Sequence, residues 1–258
     1  MLPLSFREKF SLQLQRLVSI VLYLPAGGLA YLYVKYIRRI KFRDLKNVRQ
    51  KFLSLIPMSN TPILICANHL TMFDSIYLHY GLVSYWNNLT NPRIFSWNVA
   101  AVEIFKSTPY RRILTYIGKT MPVDRHGETE HLNKILDMHV YLLSQGNTCT
   151  VFPEGGRSRS GLIEPENVTY GVGRMLQSQP NCTVLCVYMR GKNQKAHTVE
   201  PMIGDEVYLA VEKIEPRTDN SGMRGARDLS IQIINKLKEM EDHCFETTGF
   251  QKPAPTPS

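Results

Sequence analysis

Two short stretches carry side chains able to do chemistry together. Asn68-His69-Leu70-Thr71-Met72-Phe73-Asp74 sets an imidazole and a carboxylate five residues apart, and Phe152-Pro153-Glu154-Gly155-Gly156-Arg157-Ser158-Arg159-Ser160-Gly161 gathers a carboxyl, glycines and two arginines. Residues five apart on a regular helix are rotated by about 500° and share no face, so His69 and Asp74 meet only across a turn. There the carboxylate accepts a hydrogen bond from one ring nitrogen, fixing the tautomer and leaving the other nitrogen to take a proton. His69 is then a general base and Asp74 its orienting partner. On this motif alone, a His69 that caps or packs beneath a helix is an equal reading.

The second stretch adds what a base lacks. Gly155 and Gly156 let the backbone approach a ligand closely, Arg157 offers a planar fork suited to phosphate oxygens, and Arg159 adds longer-range attraction. The plainer alternative is a basic surface turn. Between the stretches, Ile117 to Arg125 reads as a strand started by Gly118 and ended by Arg125, which is either a second phosphate ligand or the partner of Asp124. No metal is expected, because His126 and His131 bracket four residues in a spacing unlike a zinc helix. Cys182 and Cys186 fall on one apolar strand face and read as packing.

The elements that hold these residues follow from periodicity. Pro62 to Ala67 is a buried strand and Phe73 to Leu82 a helix, which puts His69 in the strand-to-helix turn and Asp74 in the first helical turn. Arg93 to Val99 is a second strand, followed by helices over Tyr110 to Ile117 and Glu128 to Leu143. Thr148 to Phe152 is a strand ending at Pro153. Both motifs therefore begin where a buried strand gives way to a loop, the place where open α/β sheets build ligand sites. A helix from Val172 to Gln177, strands over Thr183 to Met189 and Val207 to Ile214, and a helix from Ala226 to Met240 complete a mixed sheet covered by helices.

A chain of 258 residues, 43% of them hydrophobic, suffices for one sizeable core. Five cysteines, an odd number without ligand spacing, read as thiols in a reducing compartment. The net charge of +9 calls for an anionic partner. Lys35, Arg38, Arg39, Lys41, Arg43, Lys46, Arg49 and Lys51 crowd one segment directly after Leu17 to Val34, a stretch without a charge. That stretch would reach roughly 27 Å as a helix, and Pro25-Ala26-Gly27-Gly28 interrupts it, so a span and a re-entrant hairpin are both open. A signal peptide is a competing reading, opposed by the basic cluster, which resists export and suits anionic headgroups on a cytoplasmic leaflet. The expected partner is thus a membrane with anionic phospholipids and not nucleic acid, which would want interleaved aromatic residues. Residues 1–51 form the membrane-associated helical and basic segment, 52–248 the main domain and 249–258 a disordered tail.

From about Pro62 to Arg190 the chain resembles the glycerolipid acyltransferases, including the 1-acyl-sn-glycerol-3-phosphate and glycerol-3-phosphate enzymes. Three motifs occur in that family's order: His-x4-Asp at His69 and Asp74, a Gly-rich segment ending in arginine at Gly118 to Arg125, and Phe-Pro-Glu-Gly-x-Arg at Phe152 to Arg157. The resemblance implies a membrane-bound O-acyltransferase moving an acyl group from acyl-CoA or acyl carrier protein to a lysophospholipid hydroxyl, in the first instance 1-acyl-sn-glycerol-3-phosphate to give phosphatidic acid. Glycerol-3-phosphate and other lyso-lipids are alternative acceptors. It further implies that His69 deprotonates the hydroxyl, that Asp74 supports it, and that Arg125, Glu154, Gly155, Gly156 and Arg157 hold the phosphorylated acceptor. No cofactor beyond the thioester co-substrate is implied, and the site would face the cytoplasm. Two departures stand out: Gly156 occupies a position where the family often has threonine, and Val184 to Arg190 lacks the proline usual in its last motif. A serine lipase using Ser158 or Ser160 and a non-catalytic membrane-binding protein remain as other classes. The first is opposed by the missing second glycine of a nucleophile elbow, the second by the intact His69 and Asp74.

Overall fold

The structure is a computed structural model that describes residues 4–103, 108–124 and 129–253. Its elements run α1 (Phe6–Leu32), β1 (Lys41–Phe42), α2 (Leu45–Leu55), β2 (Ile63–Ala67), α3 (Asp74–Leu82), α4 (Tyr85–Thr90), β3 (Asn98–Ala101), α5 (Pro109–Ile117), β4 (Thr120–Val123), α6 (Thr129–Ser144), β5 (Thr148–Val151), α7 (Gly171–Ser178), β6 (Thr183–Gly191), β7 (Glu206–Ile214) and α8 (Gly222–Thr248). A π turn, Tyr33–Ile37, closes α1.

The main sheet has the order β1-β7-β6-β2-β5. β2 runs parallel to both neighbours, with Cys66 opposite Val151 of β5 and Cys186 of β6. β7 is antiparallel to β6. The parallel pair β3-β4 joins the β5 edge through Trp97, whose amide donates to the Thr148 carbonyl at 2.8 Å while Thr150 donates back to Trp97 at 2.7 Å. The architecture is therefore the expected mixed α/β sheet covered by helices.

Alternation along the buried strands makes two cores. Leu64, Cys66, Val184, Cys186 and Tyr188 face α6, α7 and α8, while Ile63, Ile65, Ala67, Leu185 and Val187 face α2, α3 and Val34 beyond α1. A strand buried on both faces needs an unbroken apolar run, and β2 and β6 have one. The connection from β5 to β6 crosses from one side of β2 to the other. Both motifs emerge at the carboxyl ends of β2 and β5, the position where open α/β sheets hold ligands.

The N-terminal segment is one helix, long and apolar enough over Phe6–Ile37 to cross a membrane. It runs unbroken through Pro25, which settles against the hairpin. Gly27 serves packing: a Cβ there would lie 2.8 Å from the Tyr23 ring, while one on Gly28 would lie 3.7 Å from Tyr85, whose hydroxyl donates to the Leu24 carbonyl. α1 buries two polar residues against α5. Gln15 donates to the Tyr116 carbonyl at 3.1 Å, and the Ser19 hydroxyl, which donates to the Gln15 carbonyl at 2.7 Å, lies 3.2 Å from the same Tyr116 oxygen.

The basic segment is built into the same body. β1 pairs with β7, Phe52 of α2 is fully buried, Arg43 binds Glu206, Arg38 binds Glu200, and Arg49 donates to the Tyr80 carbonyl. Lys35, Arg39, Lys41, Lys46 and Lys51 stay exposed. At the other end Phe250 is buried against the core after Gly249 ends α8 in a left-handed conformation, so packing extends past residue 248; residues 254–258 lie outside the described residues.

Candidate active site

β2 ends at Ala67 and the chain turns at once, because Asn68 ties it to β6. Its side chain donates to the Met189 carbonyl at 3.0 Å and accepts from the Met189 amide at 2.8 Å. His69 follows in the turn and Asp74 opens α3, so the motif straddles the turn its spacing required. His69 Nδ1 lies 3.0 Å from Asp74 Oδ2. That oxygen also accepts the amides of Leu70 at 2.7 Å and Thr71 at 2.9 Å, while Oδ1 accepts the Thr71 hydroxyl at 2.6 Å. Asp74 is 1% exposed, so its charge is balanced by these donors rather than by water. A carboxylate only accepts, which assigns the proton to Nδ1 and leaves Nε2 lone-paired, without a partner among the described residues.

The β5 loop wraps the same histidine on three sides. The Phe152 ring stacks on the imidazole with centroids 4.2 Å apart, Glu154 Oε1 accepts the His69 amide at 2.9 Å, and the Ser158 amide donates to the His69 carbonyl at 3.0 Å. Gly155 has φ +68° and its amide donates to the Phe152 carbonyl at 2.9 Å. A Cβ there would come within 2.5 Å of Thr169 Cγ2. Gly155 is thus required by the turn and its packing, a reason different from the close ligand approach expected of it. The amides of Gly156 and Arg157 donate to nothing among the described residues, so both N–H groups are free for a ligand. Arg157 gives one guanidinium N–H to the Thr198 carbonyl at 3.3 Å, its one hydrogen bond among the described residues. Arg125 lies outside the described residues.

Burial pushes the Glu154 carboxyl up to about 8, with the nearby acids Glu241, Asp74 and Glu164 adding and the His69 amide opposing. Burial thus favours the protonated form of Glu154 near neutral pH. Between about pH 4.5 and 8 the unfolded chain loses this proton and the folded chain keeps it, so stability falls as pH rises through that window. Glu154→Gln keeps an acceptor for the His69 amide without the charge. Thermal melts should show the variant gaining on the native protein by about 4 kcal/mol, or about 8–16 °C, from pH 5 to pH 9. A constant difference across that range would contradict the assignment.

Several residues of the site were not legible as such in the sequence. Arg190 at the end of β6 is 1% exposed: it donates to the Tyr188 hydroxyl and the Gln194 carbonyl at 2.7 Å each and to the Gly161 carbonyl, and lies 3.6 Å from Glu241. Glu241, from α8, accepts the Ile163 amide at 3.2 Å. This knot anchors the loop that carries Arg157 from behind. Ser158 Oγ donates to the Leu162 carbonyl at 2.5 Å and Ser160 Oγ to Glu164 at 2.5 Å, so both hydroxyls are engaged in holding the loop. A buried cation that no motif flagged, Lys119, donates to the Phe95 carbonyl at 2.9 Å and sits 4.7 Å from the Phe95 ring. Burial lowers it to about 7, and it fixes the turn entering β4.

No curated protein sequence gives a significant match to the chain. A family model described as Acyltransferase matches residues 39–190, more than half of the chain, spanning β1 through β6 and both motif loops. An oriented imidazole wrapped by a Gly-Gly-Arg loop lies within that match, and the chain belongs to the glycerolipid acyltransferase family.

Proposed function

We propose that the chain is a membrane-bound O-acyltransferase that moves an acyl group from a thioester to the hydroxyl of a phosphate-bearing lyso-lipid, with 1-acyl-sn-glycerol-3-phosphate the first candidate acceptor. The observation that carries this is the joining of His69, oriented by Asp74, to the Glu154–Arg157 loop through three separate contacts. A base and an anion site held this rigidly suit one small molecule carrying both a hydroxyl and a phosphate. Acyl-CoA or acyl carrier protein supplies the acyl group.

In this mechanism Nε2 of His69 takes the acceptor's hydroxyl proton as the oxygen attacks the thioester carbonyl. The negative charge moves to the carbonyl oxygen. When the carbonyl re-forms, the C–S bond breaks and the thiolate leaves, recovering the proton from the imidazolium, so the products are an ester and a free thiol. No acyl-enzyme is needed, because a thiol is already a good leaving group and the protein's task is positioning, proton transfer and charge stabilisation. The Gly156 and Arg157 amides and the Arg157 guanidinium supply donors for the acceptor's phosphate.

Membrane attachment rests on surface chemistry. α1 buries Leu12, Gln15, Ser19 and Tyr23 against the domain and exposes Phe6, Phe10, Leu17, Val21, Leu24 and Leu29. Beside it α5 exposes Tyr110, Ile113 and Leu114. Two adjacent helices turning large apolar side chains outward suit a lipid phase, and exposed Lys35, Arg39 and Lys41 suit its anionic headgroups on a cytoplasmic side. A lipase is disfavoured by the hydrogen bonding of the Ser158 hydroxyl to Leu162, since a nucleophile needs its hydroxyl on the base.

Arg157→Ala tests the phosphate role. It should raise the apparent KM about ten- to a hundredfold for phosphorylated acceptors and leave that for acceptors without phosphate unchanged. An equal rise for both kinds would remove the phosphate from the site.

A further inference from the structure

Between β6 and β7 the chain makes a strap, residues 192–205, that packs against both motif loops. At its centre Thr198 pairs with Thr71: its amide donates to the Leu70 carbonyl at 3.0 Å, and its carbonyl accepts the Met72 amide at 3.2 Å and Arg157 Nη1 at 3.3 Å. The Met72 amide also reaches the Val199 carbonyl at 3.1 Å. One peptide carbonyl of the strap thus touches both halves of the site, the His69 turn and the anion-site arginine.

Two residues further on, Glu200 fastens the strap to the end of the N-terminal helix. Its carboxylate lies 3.0 Å from Arg38 Nη1 and accepts the Tyr33 hydroxyl at 2.7 Å, and both members of the ion pair are mostly buried. Arg38 also donates to the Pro201 carbonyl, and the Arg38 carbonyl accepts the Gly204 amide at 2.8 Å. Tyr33 belongs to the π turn, a helical irregularity that in proteins tends to mark functional positions. The Thr198 hydroxyl donates to the Glu200 carbonyl at 2.9 Å, which locks the short link between the fastening and the active-site contact. Nothing in the β6–β7 connection requires this route, since a direct turn would join the antiparallel strands.

We propose that Glu200 is a positioning residue for acceptor binding: held by Arg38 and Tyr33 at the foot of α1, it sets the Thr198 carbonyl that aims Arg157 and braces the His69 turn. The inference rests on the function proposed above and adds a residue that no family motif includes. With Glu200 shortened, Arg157 loses the carbonyl that orients it and the Leu70–Met72 turn loses part of its brace, while the Asp74 contact still orients the His69 ring.

The test is a double-mutant cycle on the full-length, bilayer-reconstituted protein, with hydrogen exchange as a second readout. Glu200→Ala should raise the KM for a phosphorylated lyso-acceptor about tenfold and change the thioester KM little, and adding it to Arg157→Ala should raise the acceptor KM no further. Glu200→Gln, which keeps an acceptor for Tyr33, should recover part of the loss. In exchange, the Met72 and Thr198 amides should become at least about tenfold less protected in Glu200→Ala, with the β2 amides of Leu64 to Cys66 unchanged. Additive losses in the cycle, or equal losses for donor and acceptor, would overturn the proposal and leave Glu200 a structural residue. Should the native protein transfer no acyl group to any acceptor, the proposed function fails, and the exchange readout still decides the strap: unaltered protection at Met72 and Thr198 refutes it.

Discussion

His69→Ala should lower kcat for acyl transfer by about a thousandfold or more, a barrier increase of about 4 kcal/mol, with the acceptor KM changed much less. The reasoning is local. Nε2 is the ring nitrogen left lone-paired by the Asp74 contact, and no other imidazole among the described residues is held by a carboxylate in this loop. His139 is fully buried and His79 half-buried, and desolvation lowers both to about 4 in packing environments away from this loop, so neither can take over. The substitution removes the ring that Phe152 stacks on but keeps the His69 amide and carbonyl, which carry the contacts to Glu154 and Ser158. The turn should therefore survive. Binding of the acceptor, measured apart from turnover, should stay close to native.

Asp74→Asn should be as damaging to kcat, again by about a thousandfold, for a different reason. An amide presents two N–H donors where the native side chain presents only acceptors. Oδ2 accepts three donors and Oδ1 one, so the amide nitrogen faces either the Thr71 hydroxyl or the trio of Nδ1, Leu70 N–H and Thr71 N–H. The first arrangement keeps His69 in its working tautomer but replaces the carboxylate by a neutral oxygen, so the imidazolium formed in the reaction loses its counter-charge. The second turns Nδ1 into an acceptor, moves the proton to Nε2 and sets donors against the two amides. Since Asp74 is 1% exposed, water cannot repair the mismatch, and stability should fall by about 1–3 kcal/mol as well. His69→Ala should show no comparable loss of stability, so denaturant melts separate the two variants.

Much of this arrangement was legible in the sequence because it depends on neighbours along the chain. His69 and Asp74 had to flank a turn, and β2, α3, α5, α6 and β5 fall within one or two residues of where periodicity puts them. Boundaries slipped where tertiary contacts decide: β3 begins at Asn98 instead of Arg93, since the chain from Ile94 to Trp97 is engaged by Lys119 and by the β5 edge. α8 extends to Thr248 because its buried stripe continues through Glu241 and Cys244, beyond the last obvious apolar period. Pro25 and two glycines read as a break, yet the helix continues through them, with Gly27 making room for the Tyr23 ring.

The residues that joined the two motifs could not be read, because joining them depends on strand order. Only with β5 beside β2 does Phe152 reach the imidazole and Glu154 the His69 amide. Only with β6 on the other side do Arg190 and Thr198 arrive behind and in front of the anion loop. Gly155 carried a signal that was open to two readings, ligand approach or turn, and its positive φ with Thr169 beneath it selects the turn.

The central claim is that one site joins a base for a hydroxyl to a cradle for a phosphate on the same acceptor. It is tested most directly by giving the native protein, reconstituted in bilayers, an isotopically labelled acyl-CoA together with matched pairs of lyso-acceptors with and without a phosphate, and reading products by mass spectrometry. The account expects label in an ester of the phosphorylated acceptor, formed with stoichiometric release of thiol and with little free fatty acid. Label appearing only as free fatty acid, or entering both members of each pair with equal kcat/KM, would contradict it.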